Sequence, residues 1–334
     1  MTAEREVLIR GDGVAARCCA HLLRSAGFRV GLERLERPRI PAIMLSDPAL
    51  ALIRDVFGRP WLFSERERVQ RRIVSWGNAA APVSLSHSAV VVSEEGLLDG
   101  LAEECEPDAA ANPEFVIRAS RPLPADVCEK RFGSRCACAA EVVLKDSADA
   151  SSCWIESLDG GWLFLIPNIP EATWLLGVGA SMEALIAESR VIAPRIDIVK
   201  IFSGEFNACP RMLTTLWGDN WLACGASAIG FDPICGDGTA HAVREGILAS
   251  AVVRAIAGGG DAAALCAHYE ARLTGAMLRH LSLCTEFYRT GGSGVWWKAQ
   301  AEALVEGRRW CEDRLADADA PRYQLRDFVL EWRT

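Results

Sequence analysis

The sequence predicts an α/β fold: a Rossmann-type dinucleotide-binding domain carrying an inserted antiparallel β-sheet and followed by a helical C-terminal tail. Three observations carry this expectation. A strand, glycine turn, helix and strand open the chain, closely spaced strand candidates fill its middle, and a second strand, glycine loop and helix precede two long helical stretches.

The opening unit is "EVLIRGDGVAARCCAHLLRSAGFRVGLERLE". Val7-Leu8-Ile9 is a short apolar run suited to a buried parallel strand. Beyond Gly13, Ala15, Cys19, Leu22, Leu23 and Ala26 recur at helical spacing, and Gly27 stops the helix. Phe28 to Leu32 alternate like a strand, which Glu33 ends about 20 residues beyond Gly11. Gly11 then makes the tight turn, Gly13 lets backbone approach a pyrophosphate, and Ala16 packs helix on strand. Glu33, with Arg34 beside it, stands where an acid meets the ribose hydroxyls. The same bare pattern at Gly258, Gly260 and Ala263 lies between two helices and reads as a helix stop. Asp12 would repel a pyrophosphate if it pointed inward, so its side chain is expected to turn toward Arg10 or Arg17. Glu33 would repel a 2′-phosphate, which leaves FAD and NAD.

Next, within residues 43 to 58, Ser46 caps a helix marked by Ala51, Leu52, Val56 and Phe57 at helical spacing, and "RVQRRIVSWG" and "PVSLSHSAVVVS" read as strands crossing into a second sheet. "EEGLLDGLAEE" is an acidic-fronted helix, "EFVIRAS" a parallel-type strand, and "SRPLPADVCEKRFG" an exit from the first domain. Residues 135 to 205 supply successive strand candidates and one helix, "SMEALIAESR". The expected division is a discontinuous dinucleotide-binding domain (1–134 and 206–260), an inserted sheet for substrate (135–205) and a helical region (261–334).

"CGASAIGFDPICGDGTAHA" is the second informative loop. The strand at Trp221 to Cys224 runs into small residues, Asp232-Pro233 forms a turn, and Gly236, Gly238 and Thr239 surround a helix start. Backbone N–H groups there can stabilise negative charge, and the glycines admit a flat ring without a Cβ in the way. Asp232, Pro233, Gly236, Gly238 and Thr239 are therefore candidate cofactor-binding residues.

Composition narrows the function. The 334 residues carry a net charge of −8, which disfavours nucleic acid and anionic membrane surfaces as partners. No apolar run approaches a membrane span, and "MTAEREVLIR" has no signal-peptide core, so a cytoplasmic location is expected. The 13 cysteines lack a C-x-x-C pair and mostly sit in apolar settings, so free thiols and no metal site are expected. A hydrolase elbow at Gly225-Ala226-Ser227 fails because Ile229 stands where the second glycine belongs.

The GxGxxA unit, the acid after the second strand and "GASAIGFDPICGDGT" together resemble the FAD-dependent aromatic hydroxylases and, more closely, the flavin-dependent halogenases and related monooxygenases. Trp162-Leu163-Phe164-Leu165-Ile166-Pro167 is similar to the W-x-W-x-I-P stretch of tryptophan halogenases, with Phe164 replacing the second tryptophan. The resemblance implies FAD lying across the Rossmann half, its ring beside the inserted sheet, and oxidation of an aromatic or indole-type substrate through a peroxyflavin. Trp76, Trp162, Phe164 and Trp174 are candidate pocket walls; His87 and His241 read as structural or surface histidines, and no catalytic residue is assigned. NAD(P)H or a separate flavin reductase would supply electrons. Departures weigh against halogenation: the first lysine is Lys130, and the family's glutamate and serine fall on Cys235 and Gly236. Ala226 replaces the hydroxylases' aspartate, and Glu94 or Glu95 stands where an arginine often begins the helix after the third strand. Two further readings remain. One is a flavoprotein acting on a peptide- or carrier-bound substrate, docked near Phe287, Tyr288, Trp296 and Trp297. The other is a scaffold that has lost catalysis.

Overall fold

The computed structural model describes residues 5–35, 37–78, 81–102, 112–168, 172–316 and 323–332. Strand Glu6–Arg10 buries Val7 and Ile9 and pairs in parallel with Arg29–Glu33 on one side and Phe115–Arg118 on the other. Trp221–Ala223 adds a further parallel strand, and Trp217–Gly218 folds back on it as an antiparallel edge, making five strands. The short apolar runs form this sheet because both of its faces are covered.

Seven helices occur among the described residues: α1 (Val14–Ser25), α2 (Asp47–Val56), α3 (Glu94–Gly100), α4 (Met182–Glu188), α5 (Gly238–Ala257), α6 (Ala262–Thr290) and α7 (Val295–Ala316). None is long and apolar enough to cross a membrane. Helices α1 and α5 approach closely because Gly246 has no side chain: a Cβ there would lie 2.7 Å from Cys18 Cβ and 3.0 Å from the Ala15 carbonyl oxygen. The Cys18 and Cys19 thiols donate to the Val243 and Gly246 carbonyls across this seam, both at 3.5 Å. The described cysteines are free, ten of twelve being at least partly enclosed and behaving as small hydrophobes.

The second sheet has nine strands. Its spine runs Ile196–Ile201, Cys136–Leu144, Thr173–Gly179, Gly161–Ile166, Ser152–Leu158, Arg68–Ser75, Val83–Val92 and Ile43–Ser46. All neighbours on the spine are antiparallel except Arg68–Ser75 and Ser152–Leu158, which align in parallel with Ile73 opposite Trp154. The sheet expected at 135–205 therefore incorporates three strands from the first hundred residues. One of them leads into the expected helix: Ile43–Ser46 pairs with Ala89 to Val92, and α2 starts at Asp47 with Ser46 as its N-cap residue, the position expected for the cap. The tail is helical as far as Ala316, and a hairpin, Tyr323–Arg326 with Val329–Trp332, follows.

Tyr288 and Trp297 are fully buried, and Trp297 fills the space over Gly291 and Gly292, its Nε1–H donating to the Leu158 carbonyl at 2.8 Å. Trp76 packs edge-on against Trp297 and Phe287, with centroids 5.5 and 6.3 Å apart. The aromatic cluster considered as a docking loop is thus core, because it joins α6 and α7 to the large sheet. A Gly246→Leu substitution should force α1 and α5 apart and cost about 3 kcal/mol, measured as a lower denaturation midpoint with secondary structure retained.

Candidate functional site

A cleft of about 540 Å³ opens beyond the C-terminal ends of strands Glu6–Arg10 and Phe115–Arg118. Ligands of open parallel sheets bind in this position. Gly13, Ala16, Gly238 and Thr239 line it together with Ala226 and Ser227. Two helices begin on it, α1 after Gly13 and α5 after Asp237, and neither N-cap residue makes a side-chain cap hydrogen bond. First-turn N–H groups in a helix have no internal acceptor, so the cleft presents two sets of donors and two positive dipole ends.

Backbone geometry explains the glycines. Gly11 has φ +121°, and a Cβ on it would lie 2.7 Å from Ser120 Oγ. It shapes the turn, and its N–H donates to the Glu33 carbonyl at 2.8 Å. At Gly13 the nearest atom to an added Cβ is the mobile end of Arg37, at 3.5 Å, and at Gly238 nothing lies within 4 Å. Both positions therefore leave room for a ligand against the backbone. Gly225, at φ +63°, would meet Ala15 Cβ at 2.7 Å if substituted, so its close approach to α1 sets Ala226 and Ser227 at the cleft.

The cleft's charges are paired across the loop after the second strand. Asp12 is held by Arg39, with Nη1 to Oδ1 at 3.2 Å and a second, shorter contact from Nη2. This corrects the expected partners, Arg10 and Arg17: Arg10 is taken by Glu33, Nε to Oε2 at 2.9 Å. Glu94, at the start of α3, accepts from Arg37 Nη1 at 2.9 Å and from the Ile40 N–H at 3.0 Å. Burial pushes both carboxyls up, but the arginine hydrogen bonds and charges outweigh it and hold Asp12 and Glu94 below the usual carboxylate range. Both acids stay ionised, and Arg37 and Arg39 place cations beside Gly13. Sequence reasoning gives these arginines no role, although they follow the second strand by only four and six residues.

Other expected site residues lie elsewhere. Glu33 and Arg34 are not cleft-lining, whereas Leu35 is. Asp232, Pro233 and Gly236 are not among the lining residues: Pro233 opens a 3₁₀ turn, Gly236 at φ +64° reverses the chain into α5, and the Asp232 carboxylate is buried. There it forms an ion pair with Arg135, Nε to Oδ2 at 2.9 Å, with both side chains fully buried. Tyr288 Oη donates to Asp232 Oδ2 at 3.0 Å, and Trp162 Nε1–H donates to Tyr288 Oη at 3.2 Å. Arg135 also donates to Gln300 Oε1 and the Phe132 carbonyl, each at 3.0 Å, and stacks over the Tyr288 ring. Burial pushes the Asp232 carboxyl up, and Arg135 pulls against it.

The four aromatic wall candidates do not line the cleft. Trp162, Phe164 and Trp174 share one face of the large sheet by register. Trp162 and Phe164 are buried in the main core, Trp174 packs on Phe202, and Trp76 packs on Trp297. His87 and His241 also lie outside the cleft, and burial lowers the pKa of each. Cys235, His280 and Cys284 bring one thiol, one imidazole and another thiol within 4.8 Å of one another. The His280 Nε2 already accepts the Asp232 N–H at 2.8 Å, and burial pushes this imidazole down to about 3, so it serves the turn as a neutral acceptor.

Glu245, on α5, accepts the Gly225 N–H at 2.9 Å and is fully enclosed. Burial pushes its carboxyl up from 4.5 to about 8. The folded state therefore retains a proton that the unfolded chain releases above about 4.5, and stability falls as pH rises from there through about 8.

No protein-family model matches the chain, and no curated protein matches it. Solved structures do. One is QhpG, a peptidyl tryptophan dihydroxylase essential for tryptophylquinone cofactor biogenesis, at TM-score 0.71 and 16% identity over 99% of this chain and 86% of that one. The flavin-dependent halogenase CmlS aligns at TM-score 0.74 and 16% identity over 95% and 72%. An HpxO variant from Klebsiella pneumoniae, complexed with FAD, aligns at TM-score 0.58 and 13% identity over 94% and 95%. At these identities the likeness is one of fold, shared with a peptidyl tryptophan dihydroxylase, a flavin-dependent halogenase and an FAD complex of HpxO.

Two outcomes follow from the buried groups. Arg135→Met should strand the Asp232 carboxylate and destabilise the protein by about 3–5 kcal/mol, measured by chemical denaturation. Glu245→Gln should abolish most of the stability loss between pH 5 and pH 8, measured as melting temperature against pH for variant and wild type.

Proposed function

We propose that the cleft binds FAD and that the protein is an FAD-dependent oxidoreductase of the monooxygenase type, hydroxylating an aromatic or indole-type substrate. The carrying observation is that two uncapped helix starts, α1 and α5, open on one cleft at the end of a parallel sheet. The pyrophosphate would lie over Gly13 and the first turn of α1, where N–H donors and the helix dipole favour an anion. Arg37 and Arg39 add cations there, while Asp12 and Glu94 hold those side chains in place. Glu33 and Arg34 are assigned to the ribose at the far end of the second strand. Gly238 and Thr239 would meet the electron-accepting edge of the ring, with Gly236 and the Asp232-Pro233 turn fixing the approach of α5.

A flavin bound there would supply the activation of dioxygen, with electrons from NAD(P)H or a separate flavin reductase. The chain's part is to bind, orient and exclude water. The buried Trp162, Tyr288, Asp232 and Arg135 network keeps the turn below the ring fixed against the large sheet. Trp76, Trp162, Phe164 and Trp174 are proposed to support the substrate side, as the wall behind the reacting face. Halogenation is disfavoured by the absence of a lysine before Lys130 and by Cys235 and Gly236 in place of the expected acid and hydroxyl.

A second reading, a substrate presented on a peptide or carrier, is favoured by the likeness to a peptidyl tryptophan dihydroxylase along 99% of this chain. The proposed division into a discontinuous FAD-binding domain, a substrate sheet and a helical region, and a cytoplasmic setting, accompany either reading.

Titration of the purified protein with FAD, followed by flavin fluorescence, should give saturable binding and a yellow protein that is bleached on reduction and recovers in air. Gly13→Glu should abolish binding by placing a carboxylate in the pyrophosphate seat. Arg37→Ala should weaken it about tenfold, the equivalent of about 1.4 kcal/mol. A wild-type protein that takes up no FAD would leave the scaffold reading. Hydroxylation of a tryptophan-containing peptide but not of free tryptophan would select the second reading.

A further inference from the structure

A cavity of about 640 Å³ lies on a different face of α5 from the cofactor cleft. Its walls are α5, α6 and the C-terminal hairpin. On α6, His268, Arg272, Ala276 and Arg279 follow one another at helical spacing and face it. On α5, His241, Arg244, Glu245 and Leu248 do the same. The cavity thus collects three arginines and two histidines in a chain whose net charge is −8.

Among the described residues, little balances the three arginines. Arg244 is shared with Asp237 at 2.9 Å, while Arg272 and Arg279 make no ion pair among the described residues. Glu245 is the one acid in the lining, and its enclosed carboxyl stays protonated up to about pH 8. Like charges gathered around a concave surface repel one another and concentrate anions in it. Guanidinium forks match phosphate oxygens, and one phosphate group can take donors from more than one fork. Ile229, Leu248, Leu273 and Tyr323 add apolar wall beside the charges. The lining therefore suits a molecule with an anionic end and an apolar body.

We propose that this cavity is a binding site for a small organic phosphate, with the phosphate held by Arg272, Arg279 and Arg244 and the apolar part lying on Leu248, Leu273 and Tyr323. The site is separate from the cofactor cleft and does not depend on the reading of that cleft. The two share α5, whose Gly238, Thr239 and Ala242 line the cleft while Arg244 and Leu248 line the cavity.

Calorimetric titration of the full chain with inorganic phosphate and with phenyl phosphate, at low ionic strength, tests this. Saturable binding is expected for both, with phenyl phosphate at least tenfold tighter because of the apolar wall. Arg272→Glu and Arg279→Glu should each weaken phenyl phosphate at least tenfold. Arg289→Glu, which reverses a charge on α6 outside the cavity, should change it less than twofold. Arg272→Gln and Arg279→Gln, with circular dichroism of every variant, separate loss of the site from loss of the fold. Excess FAD should leave phenyl phosphate binding unchanged. The proposal is overturned by absence of saturable binding or by equal weakening in Arg289→Glu. Full affinity in the Arg272 and Arg279 variants, or displacement of phenyl phosphate by FAD, would overturn it as well.

Discussion

The fully buried ion pair between Arg135 and Asp232 is the constraint on which the rest of this molecule depends. Ionised groups of this kind lose several kcal/mol of hydration each, and the pair is tolerable because every neighbouring element contributes to it. Tyr288 comes from α6, Gln300 from α7, Trp162 from the large sheet, and Asp232 itself from the turn that launches α5. Five segments far apart in sequence are thereby tied at one point. The turn is also gripped from beneath by the neutral imidazole of His280, which accepts the Asp232 N–H. The start of α5 consequently has little freedom to drift relative to the sheet.

The cleft above this knot follows a different electrostatic logic. Its acids are neutralised by arginines from a neighbouring loop, and its helix starts are left without side-chain caps. Glu94 illustrates the exchange. It holds Arg37 beside Gly13, so a positive group reaches the cleft from another segment.

How much of this could be read from the sequence depends on the range of the interactions. Gly11, Gly13 and Ala16 were legible because strand, turn and helix are local and their periodicities differ visibly. Gly238 and Thr239 were legible for the same reason, as small residues at a helix start. The ion pair of Asp232 with Arg135 was not legible, because the two lie nearly a hundred residues apart and no local pattern connects them. Trp162 and Trp297 were ambiguous in sequence, since an aromatic residue on a strand or helix looks the same whether it fills a core or walls a pocket. The Asp12 partner was missed because the nearest arginines in sequence, Arg10 and Arg17, were preferred to Arg39, which the loop swings back over the turn.

The parallel pairing of Arg68–Ser75 with Ser152–Leu158 has a consequence for the modularity of the chain. It welds strands drawn from the first hundred residues to those of the central sheet, so the two layers are interwoven and not beads on a string. A chimera spliced at residues 135 and 205 would tear the ladder between Arg68–Ser75 and Ser152–Leu158 and expose raw strand edges on both pieces. Recombination between such proteins can exchange this sheet intact only by carrying the 43–92 segment with it.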